Sequence, residues 1–338
     1  MLRPRRHDEA QIRFSLTVER AVASAVDLAI SPADAAAKIV ETVCDAYGSR
    51  VVTPAARKSG YDCPGWFLDR FWGILMPMVV HGPPEMQGRS IDFLRELKKH
   101  GRAGCDGMRT EWGEAVDWGR PTLFDAIAGS MLDEDGPSAP KAEENLLPRQ
   151  KFAALRALSG APQEDRDDPY YYQSYAKSRV EWLNIVRYFM QIWALDICDL
   201  EIYGLRIMRD GLENVDLAEP KRLTKAPDLV PPALALEAAS VCVRLVGKKM
   251  YRSTRIVEQG DCDLDYEFYP QGYPGRGGQR WTGVEGYHPD RWKLWKSVFI
   301  EYAEAEGRRG IVQNAVEAAK AAIEAMEAIE SVDVQVSD

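Results

Sequence analysis

Apolar residues recur at three- and four-residue steps along most of the chain, the spacing of helices that bury one face. Ile12 to Ile30 reads as a first helix. Ser31-Pro32-Ala33-Asp34 then starts a second: an oxygen-bearing cap, a proline whose missing N–H costs nothing there, and an acid near the positive end of the dipole. It runs to about Tyr47, with Ile39, Val43 and Ala46 on one side. Pro64 opens a third, in which Phe67, Phe71, Ile74, Leu75 and Met78 recur until Gly82-Pro83-Pro84 stops it. Met86 to His100 places Ile91, Leu94 and Leu97 inward and Arg95, Lys98 and Lys99 outward. Arg109 to Ala115 and Thr122 to Leu132 are expected as shorter helices around Trp112 and Trp118.

The longest pattern is Tyr175 to Arg209. At 100° per residue one arc collects Glu181, Asn184, Arg187, Gln191, Asp196, Asp199, Arg206 and Arg209. The other carries Trp182, Val186, Phe189, Trp193, Leu200 and Ile207, a broad apolar face expected of a central helix. Before it, Asp133 to Pro140 and Ser159 to Pro169 are polar stretches containing Gly and Pro, with a helical segment at Leu147 to Leu158 between them. This is the expected linker or flap. Pro231–Pro232 start another apolar helix through Val246. Ser253 to Tyr287 is the one long non-helical block, with a short hairpin expected near Asp265 to Tyr269. Two helices close the chain. Trp292, Trp295, Phe299 and Tyr302 stripe the first, with Lys296 on its solvent side; Val312, Val316, Ala319, Ile323 and Met326 stripe the second, an antiparallel pair. The expected fold is therefore all-α: a compact array of paired helices with one irregular Gly/Tyr-rich insertion. It divides into an N-terminal half (1–132), a polar linker or flap (133–170) and a C-terminal half (171–331), the halves sharing one core.

Composition narrows the function classes. The chain has 338 residues, of which 46% are hydrophobic and 28% charged, enough apolar material for a large core. Its net charge of −9 repels phosphate backbones, so no nucleic-acid partner is expected. The longest uncharged run, Phe71 to Pro84, falls short of the roughly 20 residues a bilayer span needs. Arg3 to Glu9 leads straight into a charged helix rather than a signal peptide, and Asp8, Glu9 and Glu19 argue against a mitochondrial presequence. The six cysteines, Cys44, Cys63, Cys105, Cys198, Cys242 and Cys262, form no CxxC pair. Cys44, Cys198 and Cys242 sit among apolar helical residues, as small hydrophobes do in a reducing compartment, so the cytoplasm is the expected location.

Several blocks resemble a large, mainly fungal, all-helical family catalogued only as a domain of unknown function. They are Trp72-Gly73-Ile74-Leu75, Trp112 to Trp118, Glu181-Trp182-Leu183-Asn184, Ala235 to Tyr251, and above all Arg291-Trp292-Lys293-Leu294-Trp295-Lys296. The likeness spans most of the chain. It implies the helical fold and a fungal context, and it carries over no catalytic residue.

No catalytic or metal-binding signature stands out. The four histidines, His7, His81, His100 and His288, include no i,i+3 or i,i+4 pair, so no metal and no cofactor are expected. His81 follows an apolar helix, where capping explains it better than acid–base work. Glu164 to Asp168 spells a [DE]DxxD diphosphate–Mg²⁺ pattern, but Pro162 and Pro169 bracket it and favour a solvated loop. Gly272 to Gly278 lacks the Lys-Ser/Thr of a P-loop. Aromatics are more suggestive. Trp66, Trp72, Trp182, Trp193, Trp292 and Trp295 are expected as core fillers. Tyr170, Tyr171, Tyr172 and Trp281 are read in loops, where aromatics mark contact surfaces. With His81 and His288 they form the candidate ligand-binding set. Two readings follow. One is a non-catalytic binding or scaffold module for a protein or a small apolar molecule. The other is a cofactor-independent cyclase or isomerase of fungal specialised metabolism, working by an aromatic pocket that preorganises its substrate.

Overall fold

A computed structural model describes residues 6–48, 63–134, 169–214, 232–258, 275–307 and 313–335. The expected helix at Leu147 to Leu158, the acidic run Glu164 to Asp168, the hairpin at Asp265 to Tyr269 and Cys262 lie outside the described residues. So does most of the 133–170 linker. Among the described residues the chain is all-α, with ten helices and a single isolated antiparallel bridge, Arg109 to Ala115. Contacts divide it into two compact units, Met1–Met131 with Leu195–Asp199, and Leu132–Ala194 with Leu200–Asp338.

The first unit is built on α1 (Arg6–Val26), α2 (Pro32–Tyr47), α3 (Pro64–Val80), α4 (Pro84–Lys99) and the start of α5 (Phe124–Glu134). The α2 cap forms as expected: the Asp34 amide donates to the Ser31 hydroxyl at 3.1 Å. Helix α1 lies against α2, α3 and α4, and α2 packs on α4. Their apolar faces meet in an aromatic chain. Phe71 contacts Trp72 edge-on at 4.7 Å, Trp72 meets Phe124 at 5.4 Å, and the Trp72 indole N–H donates to the Thr122 carbonyl at 3.0 Å.

Arg109 to Ala115 is not a helix. It forms a looped excursion in which the Thr110 amide donates to the Glu114 carbonyl and Gly113 holds a φ of +94°, a conformation glycine adopts without penalty. Trp112 at its tip is 55% exposed and Trp66 is 42% exposed, their rings 5.9 Å apart. Trp66 was expected in the core. It sits in the first turn of α3, where Phe67, Leu68 and Phe71 already fill the buried face.

The second unit gathers α6 (Pro169–Ala194), α7 (Glu201–Leu212), α8 (Pro232–Arg252), α9 (Pro289–Glu304) and α10 (Gln313–Gln335). Helix α8 is its hub, packed against α6, α7 and α10, while α9 packs on α10 and α7. The α7–α8 approach depends on Gly211, where a Cβ would come within 2.5 Å of the Ala235 carbonyl oxygen. The single helix expected from Tyr175 to Arg209 is broken. Asp196 takes a left-handed φ of +57°, its carbonyl accepts from the Lys98 ammonium, and a new helix starts at Glu201. The apolar arc survives the break, since Trp182, Val186, Phe189, Trp193, Leu200 and Ile207 are all buried. The polar arc also holds with one exception: Arg209 turns inward to 2% exposure, beside Asp210, whose carboxylate accepts from its Nε at 3.0 Å. Cys198 lies in the break rather than in a helix, still buried.

Candidate binding groove

Helix α9 begins at the Arg291-Trp292-Lys293-Leu294-Trp295-Lys296 run, and its 3.6-residue turn deals those side chains to two destinations. Arg291 and Trp295 go inward. Trp292, Lys293 and Lys296 line an open groove.

Inward, the Arg291 and Glu213 side chains are both fully buried. Arg291 donates through Nε to Glu213 Oε1 at 2.6 Å and through Nη2 to Oε2 at 3.0 Å. The Trp295 indole N–H adds a bond to Oε1 at 2.7 Å, and the Gly278 amide adds one to Oε2 at 2.8 Å. Arg291 Nη1 meanwhile donates to the carbonyls of Gly275 and Gly286. Its guanidinium stands 5.7 Å from the Trp295 ring centre and 5.8 Å from that of Trp281. A buried charge pair survives only when its remaining polar atoms are also satisfied, and here they are. This clasp ties the end of α7 and the 275–288 loop to α9.

Outward, Tyr251, Pro289, Trp292, Lys293, Lys296, Ser297, Ile300 and Glu330 line a groove of about 450 Å³ that opens to solvent. Trp292 forms its floor. The residue is only 3% exposed, its ring packs 5.2 Å from Tyr251, and its N–H donates to Glu330 Oε1 at 2.9 Å. Lys296, expected on the solvent side, is only 20% exposed because its ammonium reaches the other oxygen of Glu330 at 2.7 Å. At the rim, Lys293 donates to Asp290 at 2.8 Å. That bond holds the Lys293 pKa above, and the Asp290 pKa below, their ordinary values.

Of the candidate residues read from the sequence, the structure brings two together beside this groove. His288 is the N-cap of α9, its Nδ1 accepting from the Asp290 amide at 3.1 Å, and Trp281 lies 6.0 Å from its ring. Trp281 is half-buried, with its N–H donating to the Val284 carbonyl. His81 is exposed and belongs to the other unit, as the C-cap of α3. Tyr170, Tyr171 and Tyr172 fall in the first turn of α6 rather than in a loop, because a proline at the first helical position starts a helix as readily as it ends one. Glu213, Tyr251 and Glu330 were missed. Arg291 carried the one available signal: a cation in register with Trp295 and Tyr302 needs a buried anion, though the sequence does not say which.

The chain matches the family described as "Protein of unknown function (DUF3632)" over residues 72–299. It belongs to that family. The matched span takes in Glu213, the 275–288 loop and most of α9, so the family's region covers the whole clasp and every groove residue except Ile300 and Glu330. No match is found among curated proteins or solved structures.

Proposed function

We propose that the chain is a non-catalytic binding module whose α9 groove holds an apolar side chain of a protein partner or a small apolar molecule. The observation that carries this reading is the groove's construction: an aromatic floor and an aliphatic wall, Trp292 and Ile300, rimmed by charges already neutralised within the fold. Such surroundings favour an apolar guest and leave little gain for a free charge. The shifts at Lys293 and Asp290 keep both groups charged near neutral pH. A general acid or base needs its pKa moved toward neutrality instead. The alternative reading, a cofactor-independent cyclase or isomerase, requires an enclosed pocket that excludes water. A groove open to solvent does not support it.

Ser297→Phe tests the reading, since it fills the groove from an exposed position. Indole- and phenyl-bearing fragments should raise the melting temperature of the wild-type chain and lose that effect on the variant. Fragments that stabilise both proteins equally would show that the groove is not the binding site.

A further inference from the structure

In the first unit, two cysteines far apart in the sequence meet. Cys44, on the last turns of α2, directs its thiol at the Gly104 carbonyl, 3.0 Å away. Gly104 immediately precedes Cys105, so the Cys44 sulfur sits against the backbone that carries the Cys105 side chain, close enough for the two thiols to influence each other electrostatically. The backbone is shaped to permit this. Gly104 holds a φ of +72°, and a Cβ there would stand 2.5 Å from the Cys44 sulfur. Only glycine lets α2 and the 101–108 turns approach so closely. The Cys105 amide, donating to the Arg102 carbonyl at 2.9 Å, fixes the turn.

A third group converges on the pair. The Trp118 indole is fully buried, and its N–H has no regular hydrogen-bond partner. A buried donor left so calls for an explanation. The Cys105 sulfur is close enough to feel it, the indole pulling that thiol's pKa down against the larger upward push of burial and of Cys44, which together bring it to about 12. Access is unequal, with Cys44 partly exposed and Cys105 buried.

We propose that Cys44 and Cys105 form an oxidation site that closes to a disulfide when the chain meets hydrogen peroxide. The sulfur of the partly exposed Cys44 attacks the peroxide oxygen, the O–O bond breaks, and a sulfenic acid forms with release of water. The Cys105 sulfur then attacks Cys44 Sγ. The S–S bond forms, the S–O bond breaks, and the departing hydroxide takes up the Cys105 proton as water. Two thiols are oxidised by two electrons, one peroxide is reduced, and two waters leave. Proximity compensates for the sluggish buried thiol, as it does in other intramolecular reactions. Trp118 offers its N–H to the sulfur on which negative charge develops. The product staples the end of α2 to the 101–108 turns and is reversed by thiol exchange.

The test uses the full reduced chain, freed of reductant, titrated with hydrogen peroxide and mapped by non-reducing peptide mass spectrometry. The six thiols should lose two, with the Cys44 and Cys105 peptides joined at a mass two hydrogens lower. Both should disappear about tenfold faster than Cys198 and Cys242, the buried thiols that serve as internal controls. In Cys105→Ser, Cys44 should stop at a sulfenic acid that dimedone traps, while Cys44→Ser should leave Cys105 reduced. Wild-type Cys44 advancing to sulfinic acid without a link overturns the proposal. So does a bond to any other cysteine, in the same chain or a second copy. The wild-type map decides the matter even if a variant fails to fold.

Discussion

Glu111 carries a buried carboxylate whose oxygens make no regular hydrogen bond, in contrast to the fully bonded Glu213. Its carboxylate lies against Gly65 at the start of α3, where a Cβ would stand 2.3 Å from one oxygen if residue 65 had one. Burial raises its pKa, only partly offset by its own amide and those of Gly65 and Trp66. The sign follows from linkage. A folded-state pKa above the unfolded value means that the native state holds the proton more tightly, so ionised Glu111 is a liability at neutral pH and relief comes as pH falls through the folded pKa. Glu111→Gln should therefore raise the melting temperature at pH 7, with the gain shrinking in acid. A lower melting temperature at pH 7 would mean that attraction to the α3 N-terminus outweighs burial. Nothing in the sequence singled Glu111 out, because the segment read as a short helix and the Gly65 contact that buries its carboxylate lies far away along the chain.

Helix α9 shows how one element can serve both as a strut and as a wall. Its buried stripe of Arg291, Trp295, Val298 and Tyr302 anchors the unit, and its other side presents Lys293 and Ser297. Glu213→Gln would leave Arg291 buried beside a neutral amide, and we expect a loss of about 3–5 kcal/mol, the usual consequence of breaking a buried pair from one side. Trp295→Ala should cost a similar ~3–5 kcal/mol from the cavity and the lost indole bond. Lys296→Ala, which disrupts a partly exposed pair, should cost under about 1 kcal/mol. Chemical denaturation of the three variants checks the ranking; clasp variants as stable as Lys296→Ala would show that the clasp is ornamental. The starts of elements were legible, since Ser31-Pro32, Pro64 and Pro232 all open helices where the capping rules put them. The break at Leu195 to Leu200 was not, because its apolar residues stay in register with a continuous helix.

On the scale of the whole molecule, composition and packing speak to different questions. The net charge of −9 acts at long range and does not depend on the fold's details. Fluorescence anisotropy with a labelled DNA duplex at about 0.15 M salt should show no binding at protein concentrations up to about 100 μM, which spans the range of non-specific binders. A saturating signal there would expose a basic surface that the overall charge conceals. Among the described residues no helix is long and apolar enough to cross a membrane, in keeping with the short uncharged run around Phe71 to Pro84.

The sequence by itself determined the all-α class, most helix starts, the α9 and α10 stripes and the resemblance to a helical family, because periodicity and capping are local properties that each segment carries alone. Tertiary structure decided the rest. It settled that Trp66 stays exposed while Trp72 is buried, that Arg291 finds Glu213 across 78 residues, and that Cys44 meets the Cys105 turn across 60. It also made Lys296 part of a groove wall. These are pairings between distant segments, and their free energy depends on which faces the folded chain brings together. A helical stripe specifies that a face is buried, and only packing specifies against what.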